Sequence, residues 1–439
     1  MSTICYLPWI FQAVRNNGHV RVCCQANQGP DRGLIRKDDG TIYNAATDNL
    51  DEARNAKKMK DIRKDMINGK WHPDCIRCEK EEASGIRSRL TYEKELWQHY
   101  ISEDEIIKRT SDDGSIDIDK MPVVYYDLRF GNLCNLKCRI CSPTDSDAWY
   151  EEHFKMGKTG FNDTTGRLQI IESNGKYKLT TPTFTWYESE YFWNYMKEKI
   201  PHILHVHTVG GEPLLIKQHF KFLEKCIESN QSQNMRIEYN SNITVLSDKI
   251  LELWKSFKMI AIGASVDSIY KINDYIRYPS KWSLVENNLL KLDNSPDNIR
   301  IWIACTVSIY NILYLPKMFE WKVKQNFNKV NNNNWQSLMS THPLHAPHFL
   351  NIKVLPIEVK EKIKEYFKNY EFDDSFNKYQ LKEAKTLLEK YTNFMVQEDY
   401  SHMLNEFWDF NNKVDALREE TLEDNLPELY SLIKHTKDQ

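Results

Sequence analysis

No stretch of this chain approaches the roughly 18 consecutive apolar residues that a membrane-spanning helix needs, so no membrane span is expected. An excess of one charge is missing too. Lys and Arg number 59 against 62 Asp and Glu, a net of −3 that gives no case for polyanion binding, so no nucleic-acid partner is indicated. The opening residues Met1-Ser2-Thr3-Ile4-Cys5 lack a basic stretch leading into an apolar core, so no secretion signal is expected. No repeat of 20–50 residues is present. The setting expected from these absences is cytoplasmic and thiol-reducing. There, ten cysteines point to metal or redox work over disulfides. At 439 residues the chain can hold one large domain with appendages, or two domains.

The cysteines are unevenly spread. Cys226 and Cys305 stand alone in apolar settings and read as core residues. The other eight fall in three groups: Cys5 with Cys23 and Cys24, Cys75 with Cys78, and Cys134, Cys138 and Cys141. The last group, spaced C-x3-C-x2-C, puts three thiols on one tight loop without a fourth. Structural zinc and ferredoxin-type clusters both take four protein ligands. Three thiolates suit a four-iron cluster with one iron left for a non-protein ligand.

Residues 1–92 read as irregular, apart from a helical stretch over about 48–68 that ends at Gly69. Residues 109–118 are polar and read as a linker. From about 122 onward short β-rich runs alternate with helical stretches. The expected strands are Val123–Phe130, Ile203–Val209, Met235–Tyr239, Met259–Val266, Ile301–Ser308 and Phe349–Val354, several of them continuously apolar as strands buried on both faces would be. Repeated strand–helix units imply a parallel sheet, and six of them a curved sheet or incomplete barrel. Two insertions interrupt the pattern: a β-hairpin within 155–183, turning at Asn174-Gly175, and a long loop within 326–348 that holds Asn331–Asn334. After Pro356 the chain reads as helical and charged.

Ligands of α/β folds collect at the carboxyl ends of the strands. The first strand here runs into the cysteine loop. The second ends in Gly210-Gly211-Glu212-Pro213, the third in Asn240-Ser241-Asn242, and the fourth in Ser265-Val266-Asp267, with Ile276-Arg277 following. With the cysteine loop, these residues resemble the radical S-adenosylmethionine (SAM) superfamily over roughly 122–315. One departure is Ile140, where the family usually has an aromatic residue. The resemblance implies an α/β fold with a partial (β/α)6 TIM-type barrel core. It implies a [4Fe-4S] cluster on Cys134, Cys138 and Cys141 that reductively cleaves S-adenosyl-L-methionine, forming a 5′-deoxyadenosyl radical that abstracts a substrate hydrogen. It further implies cofactor contacts from Ile140, Gly210, Gly211, Glu212, Asn240, Ser241, Asn242, Ser265, Asp267 and Arg277. For Arg277 the bland reading is a solvated helix cation.

The N-terminal cysteines resemble the twitch (SPASM-like) auxiliary-cluster domain. The matching residues are Cys5-x2-Pro8-Trp9, Gly18-His19-Val20-Arg21-Val22-Cys23-Cys24, Gly69-Lys70-Trp71, Cys75-x2-Cys78, Glu82 and Gly85. The segment departs from the commoner arrangement by preceding the core. It implies a second [4Fe-4S] cluster on Cys5, Cys75, Cys78 and either Cys23 or Cys24. The same spacing alone also fits a zinc site. The expected division is 1–108 twitch-like, 120–356 core and 357–439 helical extension.

Two histidine triplets, His202/His205/His207 and His342/His345/His348, lack the spacing of a defined metal site. The aromatic cluster from Trp186 to Tyr195 reads as helix core. The function implied by the resemblance is modification of a peptide or protein side chain, with an external one-electron donor of flavodoxin or ferredoxin type as partner. Alternatives are oxidation or rearrangement of a sugar- or nucleoside-like molecule, and a non-catalytic Fe-S carrier, which would have no use for cofactor-binding strand ends.

Overall fold

The computed structural model describes residues 3–29, 31–83, 87–164, 166–331 and 337–437. Gly85 and Asn332–Asn334 lie outside them. The strands, in chain order, are β1 (Phe11–Val14), β2 (Val20–Arg21), β3 (Tyr125–Phe130), β4 (Gly160–Asp163), β5 (Gly166–Ser173), β6 (Lys176–Leu179), β7 (His205–Gly210), β8 (Arg236–Ser241), β9 (Met259–Ser265), β10 (Ile299–Val307) and β11 (Ser340–Pro343). The chain forms two units that interleave along the sequence. One comprises Met1–Leu133, Pro182–Tyr239 and Ser256–Ile260, the other Cys134–Thr181, Asn240–Lys255 and Ala261–Gln439.

In the first unit β1, β3, β7 and β8 pair in parallel, and β2 closes the edge antiparallel to β1. Side chains alternate between the faces of a strand. One face of this sheet is apolar, with Tyr126, Leu128 and Phe130 of β3, Val206 of β7, and Ile237 and Tyr239 of β8 all buried. Trp186, Tyr187 and Trp193 pack around Phe130 with ring centroids 5.6–6.5 Å away, the expected core role, whereas Tyr191 of the same cluster is exposed. The other face is polar. Tyr125, Asp127 and Arg129 of β3 lie beside His205 and His207 of β7 and Arg236 and Glu238 of β8. Continuous apolarity therefore fails for β3 and β7, which alternate with a period of two.

The N-terminal segment is tied down by buried arginines. Arg63 donates from Nε to the Pro8 carbonyl at 3.0 Å and from Nη1 to that of Gly114 at 2.7 Å. A Cβ on Gly114, where φ is +85°, would collide with the Lys60 carbonyl. Residues 109–118, expected as a linker, are exposed or half-buried but anchored at buried Gly114 and Ile116, and Trp9 Nε1 donates to Thr110 at 2.8 Å. The expected helical stretch forms as Leu50–Ala53 and Lys57–Ile67, and Gly69, with φ +70°, closes it.

In the second unit β10 and β11 pair in parallel, and Val266, just after β9, donates its N–H to the Ala304 carbonyl of β10. Here β9 is buried along most of its length, as the sequence suggested. Two expectations shift. Phe349–Val354 forms two 3-10 turns, His348–Leu350 and Ile352–Val354, and the last strand is β11, inside the expected long loop. The hairpin expectation holds: β4, β5 and β6 form an antiparallel sheet turning at Asn174 and Gly175, both with positive φ. The C-terminal part is helical, as Ile357–Lys368, Lys378–Met395, Leu404–Arg418 and shorter pieces. Among the described residues no helix is long and apolar enough to cross a membrane.

Candidate cluster and cofactor site

The three-cysteine loop is held by hydrogen bonds to its own backbone. Cys134 N–H donates to Asp147 Oδ1 at 3.0 Å. The carbonyls of Leu136 and Cys138 accept from Ser146 Oγ at 2.6 Å and Trp149 Nε1 at 3.0 Å. Lys137 and Arg139 donate their N–H groups to the carbonyls of Tyr278 and Ile276, both at 2.7 Å. With its backbone satisfied from outside, the loop needs no secondary structure of its own. Cys138 is buried, and Cys134 and Cys141 are partly so.

Cys138 and Cys141 lie side by side. Their mutual hydrogen bond pulls the Cys138 thiol down, with Arg277 helping against burial, while it pushes Cys141 up. Arg277 Nη1 lies 4.0 Å from Cys138 Sγ, and its Nε pairs with Asp267 Oδ2 at 2.8 Å. The solvated reading of Arg277 is thereby overturned, since only 8% of the residue is exposed.

The other predicted cofactor residues of this unit divide by availability. Asn242 Nδ2 donates to Asn135 Oδ1 at 3.0 Å and lies 4.0 Å from Cys134 Sγ, so it stands at the thiols. Ser241 is buried and accepts from Ile243 N–H at 2.9 Å. Asn240 is exposed, while Ser265 and Ile140 are half-buried. Asp267 is fully buried, with Oδ1 accepting from Thr306 N–H at 2.8 Å and Oδ2 on Arg277. Its carboxylate aims Arg277.

Gly210, Gly211 and Glu212 belong to the first unit. Gly210 has φ +133°, and a Cβ there would press on the Phe130 backbone. A Cβ on Gly211 would collide with the Leu133 carbonyl. The paired glycines therefore serve the close passage of the chain past the end of β3. Glu212 is buried, and its Oε1 accepts from Leu214 N–H at 3.1 Å.

Also within the first unit, Cys5, Cys23, Cys75 and Cys78 line one small cavity of about 30 Å³, joined by Pro8, Trp71, Asp74 and Arg89. Burial pushes all four thiols up, Cys23 to about 12. Cys24 is outside the cavity wall, and its sulfur accepts from Arg89 Nη1 at 2.7 Å. Glu82 accepts from the hydroxyls of Ser88 and Thr91, both at 2.5 Å, supporting the start of the helix Arg89–Trp97. Among the described residues no three His, Cys, Asp or Glu side chains gather closely enough for a single metal ion, the two histidine triplets included.

The sequence reading missed the polar sheet face. Asp127, His207 and Glu238 sit side by side in register on β3, β7 and β8, with His207 Nδ1 3.6 Å from Asp127. Below them Tyr125 and His205 stack at 4.2 Å, and His205 Nε2 lies 3.3 Å from Glu238. Burial alone would push the Asp127 carboxyl up; His207, Arg129 and Arg21 outweigh it and hold it well below the usual range. The signal was present in Tyr125-Tyr126-Asp127-Leu128-Arg129-Phe130, polar at alternate positions.

No protein-family model and no curated protein sequence matches the chain. Among solved structures it is similar to native anSMEcpe with bound AdoMet, at 16% identity over 48% of this chain and 51% of that one, with a TM-score of 0.31. The chain thus spans about half the length of that protein. It is also similar to anSMEcpe with bound AdoMet and the Cp18Cys peptide, at 16% identity over 56% and 58% with TM-score 0.34. A third likeness is to Streptococcus suis SuiB bound to S-adenosylmethionine, at 12% identity over 74% and 66% with TM-score 0.31. The likeness is low in both identity and superposition.

Proposed function

We propose that the chain is a radical S-adenosylmethionine enzyme built on a partial-barrel core. In this reading Cys134, Cys138 and Cys141 hold a four-iron cluster, and Cys5, Cys23, Cys75 and Cys78 hold a second. The observation that carries it is the donor set at the loop: three thiols on a braced backbone, a buried arginine at one sulfur and an asparagine amide near another. The residues fit the group. Three sulfurs leave one iron for a non-protein ligand, and Arg277 and Asn242 offer a cation and an amide to that ligand's carboxylate and polar groups. When bound, cluster and cofactor supply reductive carbon–sulfur cleavage and, through it, hydrogen-atom abstraction.

The chain's own contribution is positioning and charge. Asp267 aims Arg277, and Trp149 and Ser146 fix the loop carbonyls. At the second set the four thiols surround a cavity. Four thiols also fit zinc, and it is the resemblance of the N-terminal cysteines to a twitch domain that favours iron; their place on the cavity wall favours Cys23 over Cys24 as the fourth ligand. With four protein ligands the second cluster serves electron transfer. The substrate class carried forward is a peptide or protein side chain.

The test is anaerobic reconstitution followed by reduction with SAM present. About eight irons per chain and release of 5′-deoxyadenosine are expected. Iron for one cluster plus bound zinc would reject the second site. No 5′-deoxyadenosine from the reduced protein would favour a carrier.

A further inference from the structure

The helix Leu404–Arg418 grips the cysteine loop with two buried arginines. Arg139, between Cys138 and Ile140, is completely buried, and its Nη2 reaches Asp415 at 2.6 Å and Glu420 at 3.0 Å. Its Nη1 donates to Asn411 Oδ1 at 3.3 Å and its Nε to the Tyr275 carbonyl at 3.0 Å, with the guanidinium 3.6 Å above the Tyr275 ring. From the helix side, Arg418 donates through Nε and Nη2 to Glu152 at 2.8–3.2 Å. The same Nη2 donates to the Lys137 carbonyl at 2.6 Å, inside the loop. Its guanidinium also covers the rings of Trp149 and Tyr278, which themselves bond the loop backbone.

We propose that the C-terminal helix is the positioning element of the three-cysteine loop, with Arg139 and Arg418 fixing the backbone that presents the sulfurs. The proposal rests on the reading of that loop as an iron–sulfur site. A helix that merely covered apolar surface would present leucines here. Instead it offers Asn411, Asp415 and Arg418, each matched to a partner in or beside the loop. Buried charges are costly to desolvate and find compensation only where geometry and hydrogen bonding are good, as in this arrangement. Planar guanidinium forks restrict both direction and distance, and a lysine would not reproduce them. The charges balance: Lys137 and Arg418 share the carboxylate of Glu152, with Lys137 Nζ at 2.7 Å, while Arg139 faces both Asp415 and Glu420.

The experiment compares Arg418→Met/Glu152→Gln, which removes the whole pair, with Arg418→Lys, which keeps the charge without the fork. Iron per chain after gel filtration, the amplitude of the SAM-perturbed cluster signal and thermal unfolding of the iron-free chain are measured for each. The double variant is expected to fold, to lose iron about twofold as the loop cluster departs, and to lose the SAM-perturbed signal with it. Arg418→Lys is expected to lose iron and signal in the same way, because the fork and not the charge holds the loop. Wild-type iron content and signal in a folded double variant would overturn the proposal. If that variant fails to fold, Asp415→Asn, nearly isosteric, is read by the same measurements with the same two outcomes. A wild-type chain that shows no SAM-perturbed signal would instead defeat the proposed function.

Discussion

Cys23 and Cys24 are neighbours with different surroundings: the first lines the cavity with the other three thiols, and the second lies outside it with its sulfur on Arg89 Nη1. Cys23→Ala should therefore lose about half of the reconstituted iron, and Cys24→Ala should keep nearly all of it; iron analysis of the two variants checks this. Cys138→Ala should abolish 5′-deoxyadenosine release and also lose about half of the iron. Cys75→Ala should spare uncoupled SAM cleavage, measured by chromatography. Equal loss of cleavage in both would mean that the second set is structural. Spacing along the chain located each of these cysteines and the residues at the strand ends. It could not separate Cys23 from Cys24, because adjacent residues differ in direction and only the fold sets direction. Nor could it show Arg277 buried, since the ion pair that permits burial links residues ten apart across the helix Tyr270–Ile276.

Among the elements, β7 and the turn after it carry the most specific demand. The Gly211 backbone passes the Leu133 carbonyl with no room for a methyl group. Gly211→Ala should lower the unfolding temperature even without iron, by about 1 °C for each kcal/mol lost in a chain of this length, and circular dichroism of the iron-free protein measures it. A ligand-contact role alone would leave that temperature unchanged. Most expected strands form within a few residues of their predicted limits, since β-branched and aromatic runs bounded by turn residues are local signals. Phe349–Val354 was misread because its apolar residues are buried in 3-10 turns, and a short apolar run does not distinguish a strand from another buried segment. The brief strand β11 was missed because Ser340-Thr341-His342-Pro343 carries little β signal of its own and is defined by pairing with β10. The polar face of β3, β7 and β8 is a long-range property, because three separate alternations must come into register before Asp127, His207 and Glu238 form a row.

For the molecule as a whole, buried histidine ties stability to pH. Burial pushes His219 down to about 3, with Nε2 2.8 Å from the Tyr239 hydroxyl. In the unfolded chain this imidazole titrates near 6.5. Between about pH 6.5 and 3 the unfolded state therefore binds the extra proton, and stability falls as the solution is acidified, by up to about 1.4 kcal/mol per pH unit for this group. His219→Phe should flatten the acid limb of the stability curve, measured by urea unfolding at a series of pH values. An unchanged slope would show that His219 is protonated in the folded protein.

Arg139 and Asp415 stand 276 residues apart in the chain. At a synthesis rate of roughly 5–20 residues per second, the cysteine loop leaves the ribosome roughly 14–55 seconds before its brace is made. In the proposed reading, iron delivered in that interval meets thiols on an unsecured backbone, so productive loading follows the synthesis of this helix. A chain cut between Cys305 and Asn411 keeps all ten cysteines and lacks the helix that holds the loop of Cys134, Cys138 and Cys141.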